Sequence, residues 1–157
     1  MLLSQTQRLF SLLSGLWVGS FITIGFLVVP VLFTSLGDRE VASMVAANLF
    51  KTTAYIGVGF SVLLIAIAHY LVIKEQRHYL FLRWLLLGML FCTISTAFLI
   101  IPWMNSLREQ ALLAGLSVRE SSNAILFGRL HGISSCLFIA QSIFGLLLVW
   151  RTTKNAD

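Results

Sequence analysis

The chain has 157 residues, of which 58% are hydrophobic and 11% charged, and its mean hydropathy is +0.91. Soluble domains run at about 45–50% apolar and about 25% charged, so this chain has too few charges to coat a water-facing surface. A soluble enzyme, a disordered chain and a nucleic-acid binder with a solvated basic face are excluded. The formal charge of +5 must be read by position rather than as a sum.

From Leu9 to Gly37 no residue is charged, enough to cross about 30 Å of hydrocarbon with tilt to spare. Arg8 ahead of it imitates the start of a secretory leader, but the apolar stretch is about twice the usual length and no small-x-small site follows. The segment is expected to be retained. Pro30, in LVVPVLF, removes a backbone donor and is expected to kink the span near its far end. Residues 38–50 follow. Asp38 suits a helix N-cap, and Val41, Met44, Val45 and Leu49 recur at three- and four-residue spacing. They predict a short amphipathic helix at the membrane surface, the alternative being an extension of the next span.

Further charge-free runs cover Thr52–Ile73 and Trp84–Leu107, and a last one continues from Gly132 to Trp150 after Arg129 and His131. Pro102, in LIIPWMN, repeats the position of Pro30. The prediction is one transmembrane domain over 1–157: an all-α, antiparallel four-helix bundle with spans at about 9–34, 52–73, 84–107 and 126–150. The halves 1–78 and 79–157 share the order proline-bearing span, mixed stretch, span, and so are candidate parallel repeats.

Arg8, Lys74, Arg77, Arg83, Arg151 and Lys154 fall in the short segments on the side of the termini. The opposite loops hold Arg39, Lys51, Arg108, Arg119 and Arg129, offset by Asp38, Glu40, Glu109 and Glu120. The positive-inside rule then places both termini in the cytoplasm, and the expected location is a bacterial inner membrane.

Lipid supplies no hydrophobic drive between helices, so small residues and polar contacts are expected to hold them together. Ser11, Gly15, Gly19 and Thr23 form one small-residue stripe. Gly88, Cys92 and Thr96 form a second, and Gly128, Gly132, Cys136 and Ala140 a third. All three are expected to pack within the chain, with a homo-oligomer as the other use. Cys92 and Cys136 are expected to be buried, small apolar residues.

Ionisable groups inside a membrane are functional candidates. His69 lies one turn from Lys74 and is expected to reach the headgroups. His131 shares a helix face with Ser134, Ser135, Phe138 and Ser142, flanked by Gln141, and this stripe runs to mid-bilayer. It is either a structural seam, its hydroxyls bonded back to their own helix, or a binding surface. Arg129, about 200° round the helix from His131 at about 100° per residue, is expected to snorkel or to pair with Glu109 or Glu120. His69 and His131 differ in depth by about 16 Å at about 1.5 Å per residue, so no shared metal or haem is expected. No nucleophile–base–orienter set, phosphate loop or dinucleotide fingerprint is present.

GLWVGSF with LVVPVLF, the stretch ending in NLF, and FGRLHGISS together resemble the small four-span proteins related to transmembrane protein 205, known in bacteria as domain of unknown function 4149. The resemblance covers roughly residues 9–150. Its most specific pieces are Pro30 with Phe33 and the step Leu130-His131-Gly132 with Ser134. It implies the four-helix membrane fold and no settled activity. A more distant likeness extends to anthrone-oxygenase-like and copper-resistance D proteins, though Met44 and Met104 stand isolated where copper handling uses dense Met/His motifs.

The expected function is binding or moving a small solute or lipid-like molecule. Its candidate residues are His131, Ser134, Ser135, Gln141, Arg129, Pro30, Phe33 and Pro102, and its partner is the lipid bilayer rather than nucleic acid. The alternatives are a membrane oxidoreductase or monooxygenase-like enzyme using His131 as acid–base or as a ligand to haem, or a haem- or copper-binding protein, and then an assembly scaffold. No cofactor is expected under the first reading.

Overall fold

The computed structural model describes residues 2–154, with the side chains of 3–153. The side chain of Lys154, counted above on the side of the termini, therefore lies outside the described residues. The described chain is helical apart from its connections. It forms α1 (Leu2–Thr23), a π-helical segment (Ile24–Val28), α2 (Val29–Ser35), α3 (Arg39–Ile73), α4 (Tyr79–Ile94), a second π-helical segment (Ser95–Ile100), α5 (Ile101–Leu113) and α6 (Ala124–Lys154). These make four long apolar rods: Leu3–Ser35, Arg39–Ile73, Tyr79–Leu113 and Ala124–Thr153, called spans one to four.

The short connections 36–38, 74–78 and 114–123 force consecutive rods to run antiparallel. Span one packs on two, two on three, three on four, and four back on one. Large apolar side chains point outward all round, Leu12 at 72% and Phe91 at 68% exposure among them. Water would punish that surface and lipid does not, so the chain is an integral membrane protein.

The surface helix expected over 38–50 is not a separate element. Asp38 does cap: its carboxylate accepts from the Glu40 and Val41 amides at 2.7 and 3.4 Å. The helix it starts then continues unbroken to Ile73, because no proline lies between them and each backbone donor keeps its partner. Every rod is longer than its charge-free core for the same reason: charges end a lipid-facing run, but they do not end a helix.

The prolines act as expected, with a specific geometry. A proline ring lacks the N–H and clashes with the carbonyl four residues back. In both spans the backbone widens ahead of it. The Val29 amide donates to the Ile24 carbonyl and the Ile101 amide to the Thr96 carbonyl, each five residues back. Such π turns locally enlarge the helix and leave side chains out of the regular register.

The half of the bundle nearer the termini is closed. Phe10, Leu64, Leu71, Leu82, Leu86, Met89 and Leu148 are all 0–1% exposed and pack as one cluster with Trp17, Phe21 and Tyr79. The Phe10 and Tyr79 rings meet edge to face at 5.1 Å, and at the rim Gln7 donates to Gln76 across 3.3 Å. His69 sits at this end on the lipid side. Arg83 donates to its Nδ1 at 3.3 Å, so the contact is to a protein side chain rather than to a headgroup alone.

Two of the three small-residue stripes do not pack within the chain. Around Gly15, Gly19, Gly128 and Gly132 a Cβ would meet nothing within 4 Å, and Cys136 is exposed whereas Cys92 is buried. Spacing alone does not say which way a stripe faces, and these two face lipid or a second copy. The close approaches within the chain occur elsewhere. Gly88 lies under Phe144, Gly57 under the Trp17 indole and Gly145 against Val18 and Phe21, while a Cβ at Gly25 would overlap the Phe138 ring.

Gly25→Ala is therefore expected to lower stability by about 1–3 kcal/mol, the usual cost of overpacking, because the added methyl would displace the Phe138 ring from its contacts with Phe21, Phe26 and Phe50. Gly19→Ala, which meets nothing, should leave the detergent melting temperature unchanged or raise it. Equal effects of the two substitutions would contradict this packing.

Candidate functional site

The half of the bundle away from the termini holds a cavity of about 390 Å³ lined by all four spans. It sits at the level of the two π turns, and Gly25 and Phe26 from the first and Thr96 from the second form part of its wall. Span two contributes small side chains, Ser43, Ala46, Ala47 and Ala54, that leave the space empty. From His131 to Gln141 the lining extends about 15 Å along span four, and from Thr93 to Arg108 about 22 Å along span three, at about 1.5 Å per residue. The hydrocarbon of one leaflet, half of about 30 Å, has a similar depth.

The wall is aromatic. Phe138 stands at its centre, with ring centroids 6.1 Å from Phe21, 5.5 Å from Phe26 and 5.6 Å from Phe50. The Gly25 backbone gives the ring room to lie inward. Trp17 closes the deep end and stacks on Phe60 at 6.3 Å.

The cavity opens sideways. Its exposed lining residues are Phe26 and Phe33 on span one and His131, Ser135 and Ile139 on span four; those from spans two and three are buried or half-buried. Beyond the first π turn, α2 packs against α3, while α6 packs against α5 and the second π turn. Spans one and four thus part in this half, and the gap faces the lipid.

At the far rim Arg108 is the organising cation. Its guanidinium donates to Asn105 Oδ1 at 2.7 Å and to Ser43 Oγ at 2.9 Å, and lies 5.6 Å from the Phe127 ring centroid. It thereby ties α5 to α3 and α6. No carboxylate lies within ion-pair distance among the described residues, although the Glu40 carboxylate acts on it electrostatically from further away. His131 also lines the rim. Ser134 and Ser135 donate back to its carbonyl at 2.8 and 2.9 Å, so both hydroxyl protons are used and their lone pairs remain free to accept. Ser142, on the same face, donates to the Phe138 carbonyl at 2.8 Å and lies below the cavity. At the closed end Gln141 is 9% exposed, lines the cavity and has no hydrogen-bond partner among the described residues.

Of the residues singled out from sequence, His131, Ser134, Ser135, Gln141 and Phe33 line this cavity. Pro30 and Pro102 do not: both rings face outward, and they shape the cavity through the backbone turns that precede them. Arg129 is exposed on the opposite face of α6. It pairs with neither Glu109 nor Glu120, whose carboxylate accepts instead from Ser117 at 2.9 and 3.3 Å. Ser43 and Thr93 were not singled out, Arg108 reads from sequence as a loop charge and Thr96 as part of a packing stripe, and of the aromatic wall only Phe138 was placed on the His131 face. The only legible hint was the Asn105–Arg108 spacing of three on a continuing helix. Among the described residues no three His, Cys, Asp or Glu side chains gather as metal ligands, and His69 is at the other end of the bundle.

The family model described as a domain of unknown function (DUF4149) matches residues 12–112. The chain belongs to this family. The match covers spans one to three, including both proline turns, and stops before span four. The cavity wall carrying His131 and Gln141 therefore lies outside the matched residues. Likeness to transmembrane protein 205 stays a resemblance on the residues quoted above. No curated protein and no solved structure matches the chain.

Arg108→Leu, which removes two charge-assisted hydrogen bonds and a cation–π contact, should destabilise the protein by about 1.5–3 kcal/mol. Arg108→Lys should recover only part of this, since a single ammonium cannot span Asn105 and Ser43 as the fork does. Thermal melting in detergent reads both. A full rescue by lysine would show that charge alone matters at the rim.

Proposed function

We propose that this DUF4149 protein is a non-enzymatic binding protein for a lipid-like molecule, taken up sideways from the bilayer into the cavity between its four spans. The observation that carries this is the lateral gap between Phe26 and Phe33 on one side and His131, Ser135 and Ile139 on the other. It leads into an aromatic chamber deep enough for one chain of a leaflet. Binding pockets of this size, mostly apolar with a few placed polar groups, are the usual form of small-molecule sites. The packed cluster around Leu64, Leu86 and Leu148 closes the other half, which favours a one-ended site over a continuous path. In this reading the termini face the cytoplasm of a bacterial inner membrane, so the chamber belongs to the outer leaflet.

Filling the chamber tests the reading. Ala47 lines it without being exposed, and Ala47→Phe puts a ring where the chain would lie. Native mass spectrometry of protein extracted gently from its own membrane should show a bound lipid-sized mass on the wild type. The Ala47→Phe protein, folded by circular dichroism, should lose at least nine-tenths of it. Equal occupancy in both, or a bare wild type, would contradict the proposal.

A further inference from the structure

The closed end of the chamber carries an observation that lipid binding in general does not explain. The Gln141 side chain is nine-tenths buried, projects into the chamber and has no hydrogen-bond partner among the described residues. A primary amide left unpaired in an apolar setting is costly, and native structures rarely leave one so. In a membrane span, leucine would fill this position at no such cost. The level at which it sits is also polar on the facing helix. Thr93, 3% exposed, lines the chamber and donates its own proton to the Met89 carbonyl at 2.9 Å, which leaves its oxygen able only to accept. Among the described residues no charged side chain lines that end of the chamber. The nearest cation of the lining, Arg108, is about 22 Å away along span three at about 1.5 Å per residue.

We propose that Gln141 and Thr93 form a hydrogen-bonding subsite for an uncharged oxygen-bearing group, a hydroxyl or carbonyl, of a lipid-like molecule that enters the chamber with that group innermost. The proposal rests on the lipid-binding reading above and adds the polarity and direction of the ligand. The chemistry ranks the candidates. An amide both donates and accepts, and Thr93 accepts only. A hydroxyl can therefore give its proton to Thr93 or to the Gln141 carbonyl oxygen while accepting from the Gln141 amide nitrogen. A ketone or ester carbonyl can only accept, from the Gln141 amide or from the unpartnered Trp17 indole N–H at the same end, and gives Thr93 nothing. An alkane leaves the amide unpaired. A carboxylate would be buried with no cation at hand, which a membrane interior strongly disfavours, and it would bind only with its head at Arg108 and its tail inward. The order expected is hydroxyl, then carbonyl, then alkane.

Trp17 borders the same closed end and supplies the readout. The other tryptophans, Trp84, Trp103 and Trp150, are exposed, so Trp84→Phe, Trp103→Phe and Trp150→Phe together leave one reporter. In lipid nanodiscs its fluorescence is quenched with brominated probes of one chain length: an alkane, an alkanol, a methyl ketone and an alkanoate, each brominated near the end expected innermost. Half-quenching by the alkanol should occur at a mole fraction five- to tenfold below that of the alkane, the worth of one or two net hydrogen bonds. The ketone should fall between them. Gln141→Leu, and Gln141→Met as a second variant of similar shape, should erase the difference while leaving alkane quenching unchanged. The expected gain of the alkanol over the ketone separates a hydroxyl-bearing source from a carbonyl-bearing one. The proposal is overturned if alkanol and alkane quench alike, if their difference survives both variants, or if the alkanoate binds best and loses its advantage in Arg108→Leu. If no probe quenches, the alkane included, the lipid-binding reading itself fails and takes this one with it.

Discussion

Two missing backbone donors shape this protein. Pro30 and Pro102 cannot give an amide proton, and their rings push against the carbonyl one turn back. The chain absorbs both faults in the same way, by widening the preceding turn so that Val29 and Ile101 reach five residues back. Everything distinctive in this half of the bundle lies at that level. Gly25, inside the first wide turn, leaves the room in which the Phe138 ring sits, and Thr96, inside the second, faces the same space. Where the helices are regular, toward the termini, the core closes to 0–1% exposure. Where they are widened, it opens into a chamber.

The lipid solvent changes what such a chamber can select. An apolar chain gains little by leaving lipid for a protein cavity, because no water is released from apolar surface; association inside a membrane depends on packing and hydrogen bonds. Discrimination must then come from shape, which the Phe21, Phe26, Phe50 and Phe138 rings provide, and from polar groups placed within the chamber. The two polar levels differ in kind. The rim carries a cation, Arg108, already engaged with Asn105 and Ser43, beside His131. The closed end carries an uncharged amide with its capacity unused. A ligand that satisfied the second would be held by groups the fold leaves unsatisfied along its wall, the Gln141 amide and, at the same end, the Trp17 indole N–H.

The spans were legible because lipid imposes a simple rule, a charge-free run of sufficient length, and the chain obeys it four times. Their ends were less so. Residues 38–50 have the periodicity of a surface helix, yet the structure runs them straight into span two, since continuity depends on the absence of a breaker and not on amphipathicity. The same truncation hid Arg108. With span three ended at Leu107, Arg108 reads as a loop charge, whereas one further helical turn places it at the chamber rim. The polar stripe of span four was legible from its period, and four of its residues line the chamber. The aromatic wall was not, because rings from three different spans meet only through the packing of the bundle, which no single helix's period records. The glycine stripes misled for a related reason. Gly15 and Gly19 have the spacing of a helix contact, but the direction of that face is set by larger inward neighbours, Ser14, Trp17, Val18 and Phe21.

The central claim is that the widened half of the bundle holds a lipid-like molecule between spans one and four. A density map of the protein in nanodiscs made from its native lipids tests it most directly. The account predicts one continuous, elongated feature that enters between Phe33 and His131 and ends within hydrogen-bonding distance of Gln141. A chamber collapsed onto Phe138, with spans one and four in contact along their full length, would contradict it.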